Sequence, residues 1–574
     1  MKIEVLKNFI KSKYEFLILI AIIIASFIFQ LSLFLVCPYS YGVDGAYYDI
    51  NVINILETGV MWSDDNPFVF YYFTLWALIL GDVTLAIKVG IVSLCSLIPV
   101  PVYLIVKKFS KNGAAALFGA FISTFNPLLF RMMGDFVKNA AGVLFLLCFI
   151  YIFINTCEKD YNFKKKVLYY TISYLIFILI MFTHIYPTGF AVCVVAIYFI
   201  YSIIYSLITD RKFSWKDTKF ILFLVISVGI TFIIGYLIVP DYFDQFSKIY
   251  SFINNLLESV IIHNNRILES IYLGSIKKPP PPMETEILPL PIFIILLLIT
   301  CTGAIIIIID IIRRKKFRKE IQYIAFFLLI YFPVYLLVPY ISHYPIGFFY
   351  EPNPMIDLLT FLTTFPVSLG VALICFEIYK NDKNQKIINR IKGTLIAIFL
   401  MSFALSLPFI PMEWRSRFVF MNFVPISLFI GYAIKKLNVG KKKIAAAIII
   451  GFFSISMVIQ TQNFCTYAFR PVLTEAGEKD LLYLKNYVNT NSSLSGSIVI
   501  IEDLGIYYFT ILITGLDCKK SGDPDEVAKE YNETVFIVVP KFGPPPPLEP
   551  GDIIIRNVPD GQLIIILANY TYHD

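Results

Sequence analysis

The sequence predicts an α-helical polytopic membrane protein of about thirteen transmembrane helices, with a small carboxy-terminal α/β domain outside the membrane. Three observations predict it. The chain is 58% hydrophobic and 16% charged, whereas soluble domains are about 45–50% apolar and about 25% charged. Apolar runs recur from Phe16 to Gln460, and each is long enough to cross a hydrocarbon core of roughly 30 Å as a helix. The Lys and Arg behind the net charge of +7 fall in short clusters between those runs. There they read as topology signals, and nucleic acid is excluded as a partner.

Lys2, Lys7, Lys11 and Lys13 precede the first run, which lacks a small-x-small cleavage site and reads as an uncleaved span. Spans are expected near 16–36, 84–106, 113–131, 136–156, 167–185, 187–208, 219–239, 290–312, 321–341, 356–378, 393–411, 418–435 and 443–461. The run Pro67 to Leu80 is short for a crossing and reads as either interfacial or a short span. Leaving it out puts most of the basic residues on the inner side, the Arg313-Arg314-Lys315-Lys316-Phe317-Arg318-Lys319 block among them. The amino terminus is then cytoplasmic. The membrane domain covers 1–462, and residues 463–574 form an extracytoplasmic domain at the cell membrane.

Asn491, Asn532 and Asn569 head the Asn-x-Ser/Thr triplets of the chain, and all lie in this tail. The tail alternates a helical stretch (Glu475–Val488), a β-rich run (Ser497–Glu502), a second helical stretch (Ile506–Thr514) and three apolar runs at 534–539, 552–557 and 562–569. That is an α/β pattern. No glycine-rich phosphate loop opens its helices. The nine cysteines show no metal-ligand spacing. Cys465 and Cys518 can pair if both face an oxidising exterior. Pro279–Pro282 and Pro544–Pro547 read as stiff spacers.

The span centres hold almost no ionisable residue, and Lys88, Arg131, Lys138 and Asp357 fall near outer ends where long side chains snorkel. Ion-coupled transport usually needs midplane charge, so any active site is expected at the outer face. The first outer loop carries Asp44, Asp49, Glu57, Asp64 and Asp65 with no Lys or Arg from Cys37 to Asp82. Asp44 and Asp49 can be helix-cap and surface carboxylates and nothing more. In the second outer loop Asp135 stands between Arg131 and Lys138, the pattern of a locally neutralised turn or of a working carboxylate.

Asp44 precedes the aromatic pair Tyr47-Tyr48 and a short amphipathic helix ending in Gly59. Asn66-Pro67-Phe68 and then Asp135 follow, and Thr183-His184-Ile185-Tyr186-Pro187 and Glu413-Trp414-Arg415-Ser416-Arg417-Phe418 sit at later outer ends. This layout resembles the GT-C superfamily of polytopic glycosyltransferases that use polyprenyl-phosphate-linked sugars. Its members include protein mannosyltransferases and the catalytic subunit of oligosaccharyltransferase. The chain departs from the latter in lacking Trp-Trp-Asp-Tyr-Gly, in having Asp135 alone where two acids usually stand together, and in a short fifth outer loop with Glu351 as its acid.

The resemblance implies sugar transfer from a lipid-linked donor to a glycan, lipid or protein acceptor at the outer face. Such transfer needs a base for the acceptor proton and a positive group for the departing phosphate. Asp44 is the candidate base and Asp135 its partner. Arg415 and Arg417 are candidates for the donor phosphate, which guanidinium forks grip bidentately, or they are interfacial anchors. Asp49, His184 and Glu351 are candidate supports, and His263 and His343 read as interfacial histidines. A divalent metal held by Asp44, Asp135 and Glu351 is the alternative source of positive charge. The rival class is a non-enzymatic lipid or glycan transporter, or a membrane assembly protein with an external partner-binding domain.

Overall fold

The structure is a computed structural model. It describes residues 2–238 apart from 159–161 and 210–214, residues 472–568 apart from 495, 502, 521–523, 532 and 542–551, and scattered positions between 305 and 461. The chain divides into two compact units. One comprises Met1–Phe27, Leu94–Met132 and Lys138–Phe464, the other Ile28–Ser93, Met133–Val137 and Cys465–Asp574.

Eleven helices run in order through the first 238 residues: α1 (Lys2–Phe34), α2 (Gly45–Thr58), α3 (Phe68–Leu80), α4 (Val83–Cys95), α5 (Pro99–Ser110), α6 (Gly113–Thr124), α7 (Pro127–Asp135), α8 (Val137–Glu158), α9 (Phe163–Thr183), α10 (Ile185–Thr209) and α11 (Trp215–Ile238). Among the described residues six helical stretches are long and apolar enough to cross a membrane: Lys13–Phe34, Val83–Ser110, Val137–Cys157, Phe163–Thr183, Ile185–Ile203 and Lys219–Leu237. A seventh is the pair α6 and α7, bent by 41°. The bend falls at Asn126-Pro127, where proline lacks an amide and the residue before it is pushed out of the helical region. The Asn126 side chain takes up the free Leu128 amide at 3.0 Å. The chain is a multi-pass membrane protein. The six spans expected beyond residue 290 lie outside the described residues apart from those scattered positions. Helix α3 has 13 residues, about 20 Å of rise against a core of about 30 Å, so the doubtful run is an apolar helix shorter than the core is thick.

In the membrane unit, Glu15 of α1 is buried and accepts from Lys107 at 2.7 Å and from the Tyr103 hydroxyl at 2.8 Å. Both partners lie on α5, so a buried carboxylate has its charge and its lone pairs met together. Arg131 on α7 is 5% exposed, a packed side chain where snorkelling into water was expected. A Cβ on Gly142 of α8 would press on Pro187 at 2.5 Å, and the absence of one lets the turn between α9 and α10 lie close.

In the second unit the tail folds as α12 (Glu475–Thr490), β1 (Ile498–Ile500), α13 (Leu504–Thr514), β2 (Asp517–Lys519), α14 (Pro524–Tyr531), β3 (Val535–Pro540), β4 (Ile553–Arg556) and β5 (Leu563–Leu567). The sheet order is β2-β1-β3-β5-β4, parallel across β2, β1 and β3 and antiparallel beyond. One face packs on Leu481, Leu484 and Val488 of α12 with Ile506 and Phe509 of α13, and the other on Val527 and Ala528 of α14. Each covered face explains why β1 and β3 read as unbroken apolar runs. Asp480 of α12 is fully buried and receives Arg556 Nε at 2.5 Å and the Gln562 and Leu563 amides at 2.9 and 3.0 Å. That carboxylate ties the helix to β4 and β5. Cys518 is a free thiol, and its expected partner Cys465 lies outside the described residues.

Candidate functional site

The site is built on the turn that joins α1 to α2. Gly42 has φ of +80°, a left-handed conformation that favours glycine, and its carbonyl accepts from the Gly45 amide at 3.1 Å. A Cβ at Gly42 would strike the Gly134 carbonyl and come within 2.9 Å of Asp135 Oδ1. The end of α7 therefore lies directly against the backbone two residues before Asp44. Asp44 and Asp135, which are 91 positions apart in the sequence, are brought to one turn of the chain. Asp44 occupies the N-cap of α2, yet its side chain makes no cap hydrogen bond to that helix. The expectation of a mere capping carboxylate is corrected on that point.

Asp49, expected at the surface, is 2% exposed in the second turn of α2. It accepts from the Thr84 hydroxyl at 3.1 Å. Burial raises its carboxyl pKa to about 6, against the opposing pull of the Ser40 and Thr84 hydroxyls and the Lys88 ammonium. Lys88, expected to snorkel, is 4% exposed and donates to the Cys37 carbonyl at 2.5 Å and the Pro38 carbonyl at 3.3 Å. Snorkelling fails here because α1 ends beside α4 and leaves carbonyls without helical partners, and an ammonium satisfies them. Asp49, Thr84 and Lys88 thus hold the strand of chain that leads into Asp44.

Tyr47 shares a face of α2 with Asp44, three residues away. Its hydroxyl lies 2.7 Å from both Asp65 Oδ2 and Ser63 Oγ, and burial with the Asp65 charge raises its pKa. Its ring packs at 5.2 Å on Tyr508 of α13. Burial, then the Asp44 carboxylate, push the Tyr508 phenol up to about 12, so the Asp44 charge is felt at that ring. Lys520, just past β2, stands over the Tyr507 and Tyr508 rings at 5.2 and 5.3 Å. Tyr39 donates to Glu478 of α12 at 2.5 Å, a second tie between the turn and the tail.

His184 belongs to the membrane unit. It ends α9 with extended backbone, stacks on Tyr186 at 5.1 Å, and accepts the Tyr186 amide on Nδ1 at 3.3 Å. Glu351, Arg415 and Arg417, with His263 and His343, lie outside the described residues. Among the described residues no group of three His, Cys, Asp or Glu side chains is placed to hold a metal.

Three structures of the Archaeoglobus fulgidus oligosaccharyltransferase share this architecture. The apo form matches 91% of this chain and 69% of its own, at 11% identity and a TM-score of 0.58. The form tethered to an acceptor peptide containing the NVT sequon matches the same shares at 12% identity and 0.57. The complex with zinc and sulfate matches 90% and 68% at 11% identity and 0.54. The chain shares the fold of this oligosaccharyltransferase. No family model and no curated protein matches the sequence itself. The sequence reading named Asp44 and Asp135 as candidates but not Gly42, the glycine at which the end of α7 meets the turn before Asp44. It also missed the tail side chains at the turn, Tyr508 and Lys520. The one sequence signal for these was the isolated Tyr507-Tyr508 pair inside a helical stretch.

Proposed function

We propose that the protein is a membrane glycosyltransferase that moves a sugar from a polyprenyl-phosphate-linked donor to an acceptor at the outer face of the membrane. The observation that carries this reading is the approach of α7, ending in Asp135, to the Gly42 turn that presents Asp44, on a fold shared with an oligosaccharyltransferase. Asp44 acts as the base. It takes the proton from the acceptor nucleophile as the new bond to the anomeric carbon forms and the bond to the phosphate oxygen breaks, with inversion at that carbon. Asp135 orients the acceptor. The lipid phosphate leaves as an anion and needs positive charge in the transition state. Arg415 and Arg417 are proposed for it from the sequence. The positive-inside pattern supports an outward-facing Gly42 turn and tail.

The test is incubation of the purified protein in lipid vesicles with radiolabelled polyprenyl-phosphate and polyprenyl-pyrophosphate sugars and a panel of glycan, lipid and peptide acceptors. Transfer of label that depends on the protein supports the reading. Lipid-linked sugar that crosses sealed vesicles without changing its chemical linkage would instead establish a transporter.

A further inference from the structure

Departing phosphate at the Asp44 turn poses a charge problem, and one described cation stands over rings that pack toward that turn. The segment from Cys37 to Asp82 has six acids and no Lys or Arg, so within it an anion meets no positive charge. Residues 28–93 contain one cation, Lys88, and its ammonium is buried against the Cys37 and Pro38 carbonyls. Residues 133–137 contain none. In the tail, Arg556 pairs with Asp480, Lys519 pairs with Glu530 at 2.7 Å, and Lys485 donates to the Ile513 carbonyl at 2.9 Å. Among the described cations of this unit, Lys520 is the one that rests on Tyr508, the ring that packs at 5.2 Å on Tyr47 of α2, three residues after Asp44.

We infer that the Lys520 ammonium, seated on Tyr507 and Tyr508, binds the phosphate group of the ligand that reaches the Asp44 turn. A free lysine gives up rotamer freedom when it binds. Here part of that freedom is already lost, because two rings hold the ammonium by cation–π attraction and the Tyr508 hydroxyl lies 3.4 Å away. Tyr507 is itself fixed by its hydroxyl bond to the Cys518 carbonyl at 3.0 Å, at the strand that leads into Lys520. The ammonium has three donors and is exposed, so donors remain for phosphate oxygens, and no carboxylate among the described residues pairs with it. Tyr508 in turn packs on Tyr47, in the first turn of the helix that Asp44 caps. Phosphate on one side and the acceptor proton on the other would thus meet groups of the required sign. The lipid-borne form of the ligand rests on the glycosyl-transfer reading, whereas the anion site does not.

The experiment uses the full chain in phosphatidylcholine nanodiscs, with Lys520→Gln and Lys520→Arg beside the wild type. Binding is measured for a polyprenyl phosphate, for the corresponding neutral polyprenol, and for inorganic pyrophosphate. Lys520→Gln is expected to weaken the polyprenyl phosphate roughly tenfold, the scale of one charge-assisted hydrogen bond, while leaving the polyprenol and the thermal midpoint unchanged. Lys520→Arg should retain binding. If the wild type binds pyrophosphate through Lys520 but ignores polyprenyl phosphate, the anion site stands and the lipid-linked donor falls. Unchanged affinity of Lys520→Gln for both anions, or equal loss for the neutral polyprenol, overturns the proposal.

Discussion

At the scale of single residues, Gly42 decides how closely the end of α7 approaches the turn before Asp44. It needs a left-handed backbone and has no room for a Cβ, whereas Gly59 at the end of α2 has φ of +82° and nothing within 4 Å. Gly59→Ala should cost only about 1 kcal/mol of conformational strain. Gly42→Ala adds a clash with the Gly134 carbonyl and is expected to lower the thermal midpoint several times further. Equal effects of the two substitutions would show that α7 does not press on the turn. Asp49 carries a separate signature. Its folded pKa of about 6 lies above the ordinary carboxylate value of about 3.9, so between these values the folded state holds more proton than the unfolded one. Stability must therefore fall as pH rises through that window and level off above it. Thermal midpoints of the wild type from pH 4 to 7 should decline more steeply than those of Asp49→Asn, and parallel curves would contradict a buried, protonatable Asp49. The carboxylates were legible in the sequence as acids in a loop without bases. Their burial and their partners were not, since Thr84, Lys88 and Gly134 reach them across breaks in the chain that no local pattern records.

Secondary elements were more legible than residues, for a physical reason. A span must be apolar over its whole length to satisfy the bilayer, so the seven runs expected before residue 240 coincide with helices to within a few residues. Tail strands β1, β3, β4 and β5 showed because they are apolar runs. Strand β2 and helix α14 did not, because Asp517–Lys519 and Pro524–Tyr531 are mostly polar and offer no periodic apolar face. Helix α3 sits between these cases. It buries Val69, Phe70, Phe73 and Ala77 yet exposes Leu75, Leu78 and Ile79 at 59–70%, and no charge occurs from Asn66 to Gly81. Such an apolar outer face on a helix shorter than the core is thick suits immersion at the edge of the bilayer. A spin label on Leu78→Cys in vesicles is expected to be relaxed by oxygen more than by a water-soluble nickel complex, and the reverse order would place α3 in water.

For the whole molecule, the basic clusters orient the chain and the fold supplies the rest. Impermeant thiol reagents on intact cells should label Ser493→Cys in the tail and leave Lys316→Cys untouched, and labelling of the latter alone would invert the map. Orientation matters because the proposed chemistry is confined to the side that holds the Gly42 turn. The central claim is that Asp44 and Asp135 work as one unit there, and a double-mutant comparison of sugar transfer tests it most directly. Asp44→Asn alone is expected to lose on the order of 10²-fold or more in rate, with the thermal midpoint unmoved. Because groups that act together are strongly non-additive, the Asp44→Asn/Asp135→Asn variant should lose little beyond the worse single variant. Full transfer by Asp44→Asn, or losses that simply multiply in the double variant, would contradict a joint site at the Gly42 turn.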